Sequence, residues 1–197
     1  MRLLASGSDL HKSTKPNGYE LEKPTTDEMP LIVALDVDYR DSVAVAAGVW
    51  FRGWSVGIAE FAIVATFNNV AEYQPGEFYR RELPCLLGVL ARGPQPDLIV
   101  IDGYVWLGEG RPGLGAHLHE ALDGKTPIIG VAKTRFYSAT DAIPVCRAES
   151  RSPLYVSAVG VSSAEAAEWV RSMNGEFRLP TLLKQVDRLA RTATAGI

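Results

Sequence analysis

The sequence predicts an α/β protein built on a mixed sheet, an antiparallel meander followed by parallel strands, with helices on both faces. The meander comes from three apolar, β-branched runs at 31–39, 42–50 and 55–66, joined by short connections with Arg52-Gly53 as one turn. The parallel part comes from two shorter buried runs, 97–102 and 127–132, set among segments of helical spacing. The stretch at 31–40, Leu-Ile-Val-Ala-Leu-Asp-Val-Asp-Tyr-Arg, is apolar enough to be a central strand. It carries Asp36. A carboxylate buried there without a partner would rise in pKa or destabilise the fold. A divalent cation, shared with further carboxylates from elsewhere in the chain, is the simplest partner.

The composition sets the frame. A chain of 197 residues that is 47% hydrophobic and 22% charged suits one domain with a sizeable core. Residues 1–29 are polar and mixed in charge and are expected to form a tail or strap, leaving 30–197 as the folded domain. The net charge of −3 gives no global basic footprint, so any nucleic-acid partner must be held by local patches and metal. Cys85 and Cys146 lie in apolar surroundings and are expected to be buried free thiols; two cysteines make no zinc site. No run reaches the roughly 18 apolar residues of a membrane span, and the first residues do not read as a signal peptide. A cytoplasmic protein is expected.

The other elements follow in order. Residues 68–76 form a loop by their Asn, Pro and Gly content. A helix over 78–92 is predicted from Leu83, Leu86, Leu87 and Leu90, with Glu82 at the edge of that stripe and Pro84 tolerated near its start. Pro94-Gln95-Pro96 breaks the chain before the strand ending at Asp102. A short helix over 113–122 ends at Asp123-Gly124, and the strand after it ends at Lys133. Residues 142–148 and 153–160 suggest a hairpin. Ser162-Ser163-Ala164-Glu165 opens a helix to about 173 with a capping box. A last helix over 181–191 puts Leu183, Val186 and Ala190 on one face, with Asp187 close beside. This is the ribonuclease H-like order of elements.

Asp36 and Asp102 each end an apolar strand, where functional groups collect in open α/β sheets. Glu82 and Asp187 lie on helices able to cover that end. Four carboxylates from four elements suit a hard cation such as Mg²⁺ or Mn²⁺, which prefers oxygen ligands and keeps waters for phosphate. Ions held this way activate water and stabilise the leaving oxygen in phosphodiester hydrolysis. Lys133 at the next strand end can neutralise charge developing on phosphorus. Taken singly, each of these residues also fits a blander role, as a turn former, a helix cap or a solvated surface charge.

Together these residues carry a resemblance. Ala34-Leu35-Asp36-Val37-Asp38-Tyr39, Arg81-Glu82-Leu83-Pro84, Pro96 through Gly103, Gly113-Leu114-Gly115-Ala116-His117, Gly130-Val131-Ala132-Lys133, Tyr155-Val156-Ser157 and Arg178-Leu179-Pro180 with Asp187 occur in that order. The chain from Leu31 to about Arg191 resembles the endonuclease V family, metal-dependent nucleases of the ribonuclease H-like fold that act on deoxyinosine in DNA or inosine in RNA. The resemblance implies Asp36, Glu82, Asp102 and Asp187 as metal ligands and catalytic acids, with Lys133 as the catalytic lysine. It implies Mg²⁺, or Mn²⁺ in its place, and a role in DNA repair. The implied reaction is hydrolysis of the second phosphodiester on the 3′ side of a flipped-out hypoxanthine. It further implies Tyr73 and Pro75 of Tyr73-Gln74-Pro75-Gly76 as a wedge. Gly76, Gly103 and Gly113 would line a base pocket, with His117 beside it, and the chain would act as a monomer.

The chain departs from the family's pattern in four places, one of them the segment between Lys133 and Tyr155, which is short. Glu72 and Gln74 stand where the wedge normally has Pro and Ile. Tyr104-Val105-Trp106-Leu107-Gly108-Glu109 replaces a glycine followed by His-Pro, and Val159-Gly160-Val161 replaces the usual Gly-His. These departures touch base recognition more than cleavage. Two alternatives to a deoxyinosine nuclease therefore stand: the same chemistry on another substrate (inosine-containing RNA, another lesion or branched DNA), and a nucleic-acid-binding protein without catalysis.

Overall fold

The computed structural model describes residues 29–40, 43–68 and 77–193. It is a seven-stranded sheet flanked by four helices. In chain order the elements are β1 (Leu31–Arg40), β2 (Val43–Arg52), β3 (Phe61–Asn68), α1 (Tyr79–Leu90), β4 (Leu98–Asp102), α2 (Leu114–Ala121), β5 (Ile128–Ala132), β6 (Ile143–Val145), β7 (Leu154–Val159), α3 (Ser163–Ser172) and α4 (Thr181–Thr192). The spatial order is β3-β2-β1-β4-β5-β7-β6. The meander β1-β2-β3 is antiparallel, β1, β4 and β5 run parallel, and β7 pairs antiparallel with both β5 and β6. The mixed sheet expected from the sequence is thus present, and β1 lies in its interior.

Strand alternation sorts the central residues onto two faces. Leu31, Val33, Leu35, Ile99 and Ile101 pack with Cys85, Leu86 and Val89 of α1 and Leu114 and Leu118 of α2. Ile32, Ala34, Val100, Ile129 and Val131 pack with Ala166 and Val170 of α3 and Leu182, Val186 and Ala190 of α4. Helices therefore cover both faces. Helix α3 begins with the expected capping box: the Glu165 N–H donates to Ser162 Oγ at 3.2 Å, and the Ser162 N–H donates to Glu165 Oε2 at 3.4 Å. Among the described residues no helix is long and apolar enough to cross a membrane.

Several local expectations need correction. The third strand starts at Phe61, not at 55, because Gly53 (φ 80°) and Gly57 interrupt the run and residues 53–60 turn before rejoining β2, where the Glu60 N–H donates to Trp50 O. Pro84 lies within α1, five residues after its first. Cys85 is buried, but Cys146 is exposed, since it follows β6, the strand at the edge of the sheet. The expected tail lies outside the described residues except for Met29, whose carbonyl accepts from Arg52 at 2.6 Å.

Candidate active site

The site grows from the rows of side chains on the α4 face. Along β1 that row is Ile32, Ala34 and then Asp36; along β4 it is Leu98, Val100 and then Asp102; from β5 it is Ile129, Val131 and then Lys133. In each case the apolar row gives way to a charged residue. Asp102 ends β4 and Lys133 follows β5, but Asp36 lies midway along β1, not at its end as expected, because β1 runs on past β4 to Arg40 in its pairing with β2. Val186 and Ala190 hold α4 to the sheet, and Asp187 turns toward the same point.

One carboxylate oxygen each from Asp36, Asp102 and Asp187 lie within 4.8 Å of one another. The Lys133 ammonium joins two of them, donating to Asp102 Oδ2 at 2.6 Å and Asp187 Oδ1 at 3.0 Å. Arg191, one turn along α4, reaches Asp187 Oδ1 at 3.2 Å. Glu82 enters from α1 and is only 7% exposed. It lines a cleft of about 320 Å³ with all three aspartates, Phe78 and Arg191, although it stands outside the tight trio. Asp36, Glu82, Asp102, Asp187 and Lys133 are therefore gathered at one end of the sheet.

The electrostatics are those of a site short of positive charge. Burial, then the negative charge of Asp102, pushes the Asp36 carboxyl up to about 7; the Val37 N–H and Lys133 pull the other way, and Asp187 adds to the rise. Burial, then Asp36 and Asp102, pushes Glu82 up to about 9. Burial opposes the Lys133 ammonium, but its bonds and attraction to Asp102 and Asp187 outweigh that and raise its pKa. An all-oxygen donor set this desolvated, with a lysine ammonium inserted between two of its carboxylates, fits a hard divalent cation.

A second cleft, of about 230 Å³, adjoins the first and shares Phe78, Asp102 and Gly103 with it; its other walls include Tyr79, Tyr104, Leu107 and Gly113. Gly103 takes φ 139°, a conformation that favours glycine. Gly130 is required by close approach, since a Cβ there would sit 2.6 Å from the Gly103 carbonyl oxygen. The loop between β4 and α2 is further tied by the Val105 N–H donating to the buried Ser157 Oγ at 2.9 Å, and by the Gly113 N–H donating to Val105 O at 2.8 Å. His117 does not line this cleft: it stacks on Tyr79 with ring centroids 3.6 Å apart, behind the wall. Tyr73, Pro75 and Gly76 lie outside the described residues.

Residues to which sequence reading gave no role also support the site. Arg40, at the end of β1, donates to Ala190 O, Ala193 O and Arg191 O, a cation on the C-terminus of the helix that carries Asp187. Arg178, quoted for its motif alone, donates to the carbonyls of Lys133 and Pro153 and so fixes the backbone beneath the lysine. Only pattern interruption could have flagged these, and arginines in polar segments interrupt nothing.

A seven-stranded mixed sheet of this order, with acidic residues converging beyond its middle strands, is the ribonuclease H-like fold carrying an acidic centre. The sequence model of endonuclease V matches residues 16–149. The chain belongs to the endonuclease V family. It is 36% identical over 146 residues to endonuclease V from Rhodospirillum centenum, a match covering 59% of this chain and 58% of that one, so it spans about three fifths of that relative's length. It is 30% identical over 187 residues to the Xylella fastidiosa endonuclease V, covering 83% of this chain and 77% of that one. The solved endonuclease V of Streptomyces avermitilis aligns with a TM-score of 0.66 at 28% identity, over 83% of this chain and 80% of that one. The Ciona intestinalis endonuclease V, solved with a 24mer DNA containing an inosine followed by a ribo-adenosine, aligns with a TM-score of 0.69. That likeness, at 19% identity over 84% of this chain and 85% of that one, is one of fold.

Proposed function

We propose that this chain is a metal-dependent endonuclease that hydrolyses the second phosphodiester on the 3′ side of deoxyinosine in DNA, a repair activity, with residues 30–197 as its nuclease domain. The observation that carries the reading is the trio Asp36, Asp102 and Asp187, within 4.8 Å and bridged by Lys133. Asp36, Asp102 and Asp187 would hold Mg²⁺, or Mn²⁺ in its place, with Glu82 facing the same cleft from α1. An ion held there would supply the positive charge that activates water and stabilises the leaving oxygen.

The chain's own residues do the rest. Lys133, held beside Asp102 and Asp187, brings a fixed positive charge to offset the charge building on the phosphoryl oxygens. Burial, then Asp36 and Asp102, pushes the Glu82 carboxyl up to about 9, and a cation held beside it would favour its ionised form. The adjoining cleft, walled by Tyr79, Tyr104 and the backbone of Gly103 and Gly113, is the place for a flipped base beside the acids. Tyr73 and Pro75 would form the wedge in this reading, and Gly76 would join Gly103 and Gly113 in lining the base pocket. The proposed assembly is a monomer.

A labelled duplex with one deoxyinosine, its unmodified control, and a duplex with a ribonucleotide 3′ of the inosine provide the test, each with Mg²⁺, Mn²⁺ or EDTA. Metal-dependent cutting confined to the inosine-containing strands is expected. Equal cutting of the control would discard the base pocket, and no cutting of any duplex would leave a binding role. The third duplex tests a second reading, inosine in RNA, which the ribo-adenosine in the Ciona intestinalis complex favours.

A further inference from the structure

The segment after Lys133 forms a feature that the cleavage site does not use. Arg135, Phe136 and Tyr137 follow one residue after the lysine, beyond Thr134; Phe136 is 40% exposed and Tyr137 is 83% exposed. An aromatic ring of that size left in water forgoes burial unless something covers it, and rims of such rings mark interaction sites. The Arg135 guanidinium stands 5.1 Å from the Tyr137 ring centroid. Beneath them lies a cleft of about 330 Å³, walled by Arg135, Tyr137, Thr140, Pro144 and Tyr155. None of its described lining residues carries a negative charge.

The position of this cleft is built, not incidental. The Tyr104 hydroxyl donates to Thr134 O at 2.7 Å and accepts from the Phe136 N–H at 2.9 Å. Tyr104 also walls the cleft beside Gly103, so the same side chain ties the 134–136 backbone to the proposed base site. Tyr155 pairs with Ala132, one residue before Lys133. The new cleft therefore opens at the same end of the sheet as the acids.

We infer that the Arg135–Tyr137–Tyr155 cleft takes an unpaired nucleotide of the substrate strand, its base against the tyrosine rings and its phosphate on Arg135. Aromatic faces with an interleaved guanidinium are the recurrent platform for single-stranded nucleic acid, and a cleft of about 330 Å³ is of the size of one nucleotide, far below that of a duplex. The inference rests on the nuclease reading and adds a requirement: affinity must depend on single-stranded extension of the substrate.

Fluorescence anisotropy on the full chain in EDTA, which prevents cutting, tests it. The probes are an inosine oligonucleotide limited to the nucleotides that reach the acids, and the same oligonucleotide with a few unpaired nucleotides added on the 5′ or the 3′ side. One of the two extensions should tighten binding to the wild type by about tenfold, the contribution of one stacked base. Tyr137→Ala should remove that gain while leaving the short probe within about twofold, Arg135→Ala should do so in part, and Tyr137→Phe should retain it. Equal affinity for short and extended probes, or a gain that survives Tyr137→Ala, overturns the inference while leaving the nuclease reading intact. Failure of the wild type to bind any inosine probe also overturns the inference, and the nuclease reading is then decided by the cleavage test with Mg²⁺.

Discussion

Replacing Asp36 by Asn should make the metal-free protein more stable, by an amount that depends on pH. The side chain is isosteric, and the Val37 N–H that donates to Asp36 Oδ1 at 2.8 Å can donate to the amide oxygen instead. What disappears is the cost of ionising a buried carboxyl beside Asp102 and Asp187. A carboxyl with an ordinary value of 3.8, held at about 7 in the folded protein, is protonated in the native chain over a pH range where the unfolded chain has lost its proton. Its contribution is therefore fully present below pH 3.8 and is lost as the pH rises through about 7. At about 1.4 kcal/mol per pH unit, the wild type gives up about 4 kcal/mol across that window as an upper figure. For a chain of this size that corresponds to roughly 10 °C in Tm. Thermal denaturation in EDTA should show matched Tm values at pH 4 and a widening advantage for Asp36→Asn up to pH 8. Saturating Mg²⁺ should reverse the order, because the wild type gains ligand-linked stability that the variant lacks. A difference in Tm that is constant from pH 4 to 8, or an Asp36→Asn variant less stable than wild type at pH 8 in EDTA, would refute the reasoning.

Two further outcomes follow from particular contacts. Lys133→Met keeps the stem and removes the ammonium that bridges Asp102 and Asp187, so cleavage of the deoxyinosine duplex should fall by roughly a hundredfold or more while affinity for inosine oligonucleotide stays close to wild type; parallel loss of binding would argue for a structural lysine. Ser157→Ala leaves the buried Val105 N–H without its acceptor and should cost about 1–3 kcal/mol in urea unfolding, with a rise in KM as the loop beside Gly103 loosens.

The centre of the site was legible because its residues break a pattern. In β1, β4 and β5 the apolar alternation along one face ends in Asp36, Asp102 and Lys133, and burying a charge there is costly enough to demand a partner. Asp187 was legible in the same way, beside the buried stripe of α4. Glu82 was less so: helical spacing set it at the stripe's edge, whereas in the structure it is buried, more so than Leu83, Leu87 and Leu90, and lines the acid cleft. The start of β3 was missed because an apolar run reads as strand even where Gly53 and Gly57 let it turn. Cys146 was misread because apolar neighbours in sequence do not say whether another layer lies over them.

The supporting arginines show why the rest was hidden. Arg147 is 5% exposed and has no carboxylate partner among the described residues; it donates instead to Phe177 O at 3.1 Å, Gly175 O at 3.3 Å and Met173 O, in the segment between α3 and α4. Those contacts fix the path of the chain into Arg178, which in turn holds the Lys133 carbonyl. Every acceptor in that relay is a backbone carbonyl, a group that every residue possesses. A charge paired with another charge leaves two marks in a sequence, while a charge satisfied by carbonyls far along the chain leaves one, and that one looks like any surface arginine. The residues that do the chemistry in the proposed reaction were therefore readable as exceptions to burial. Those that aim them became visible only when the fold brought donor and carbonyl together.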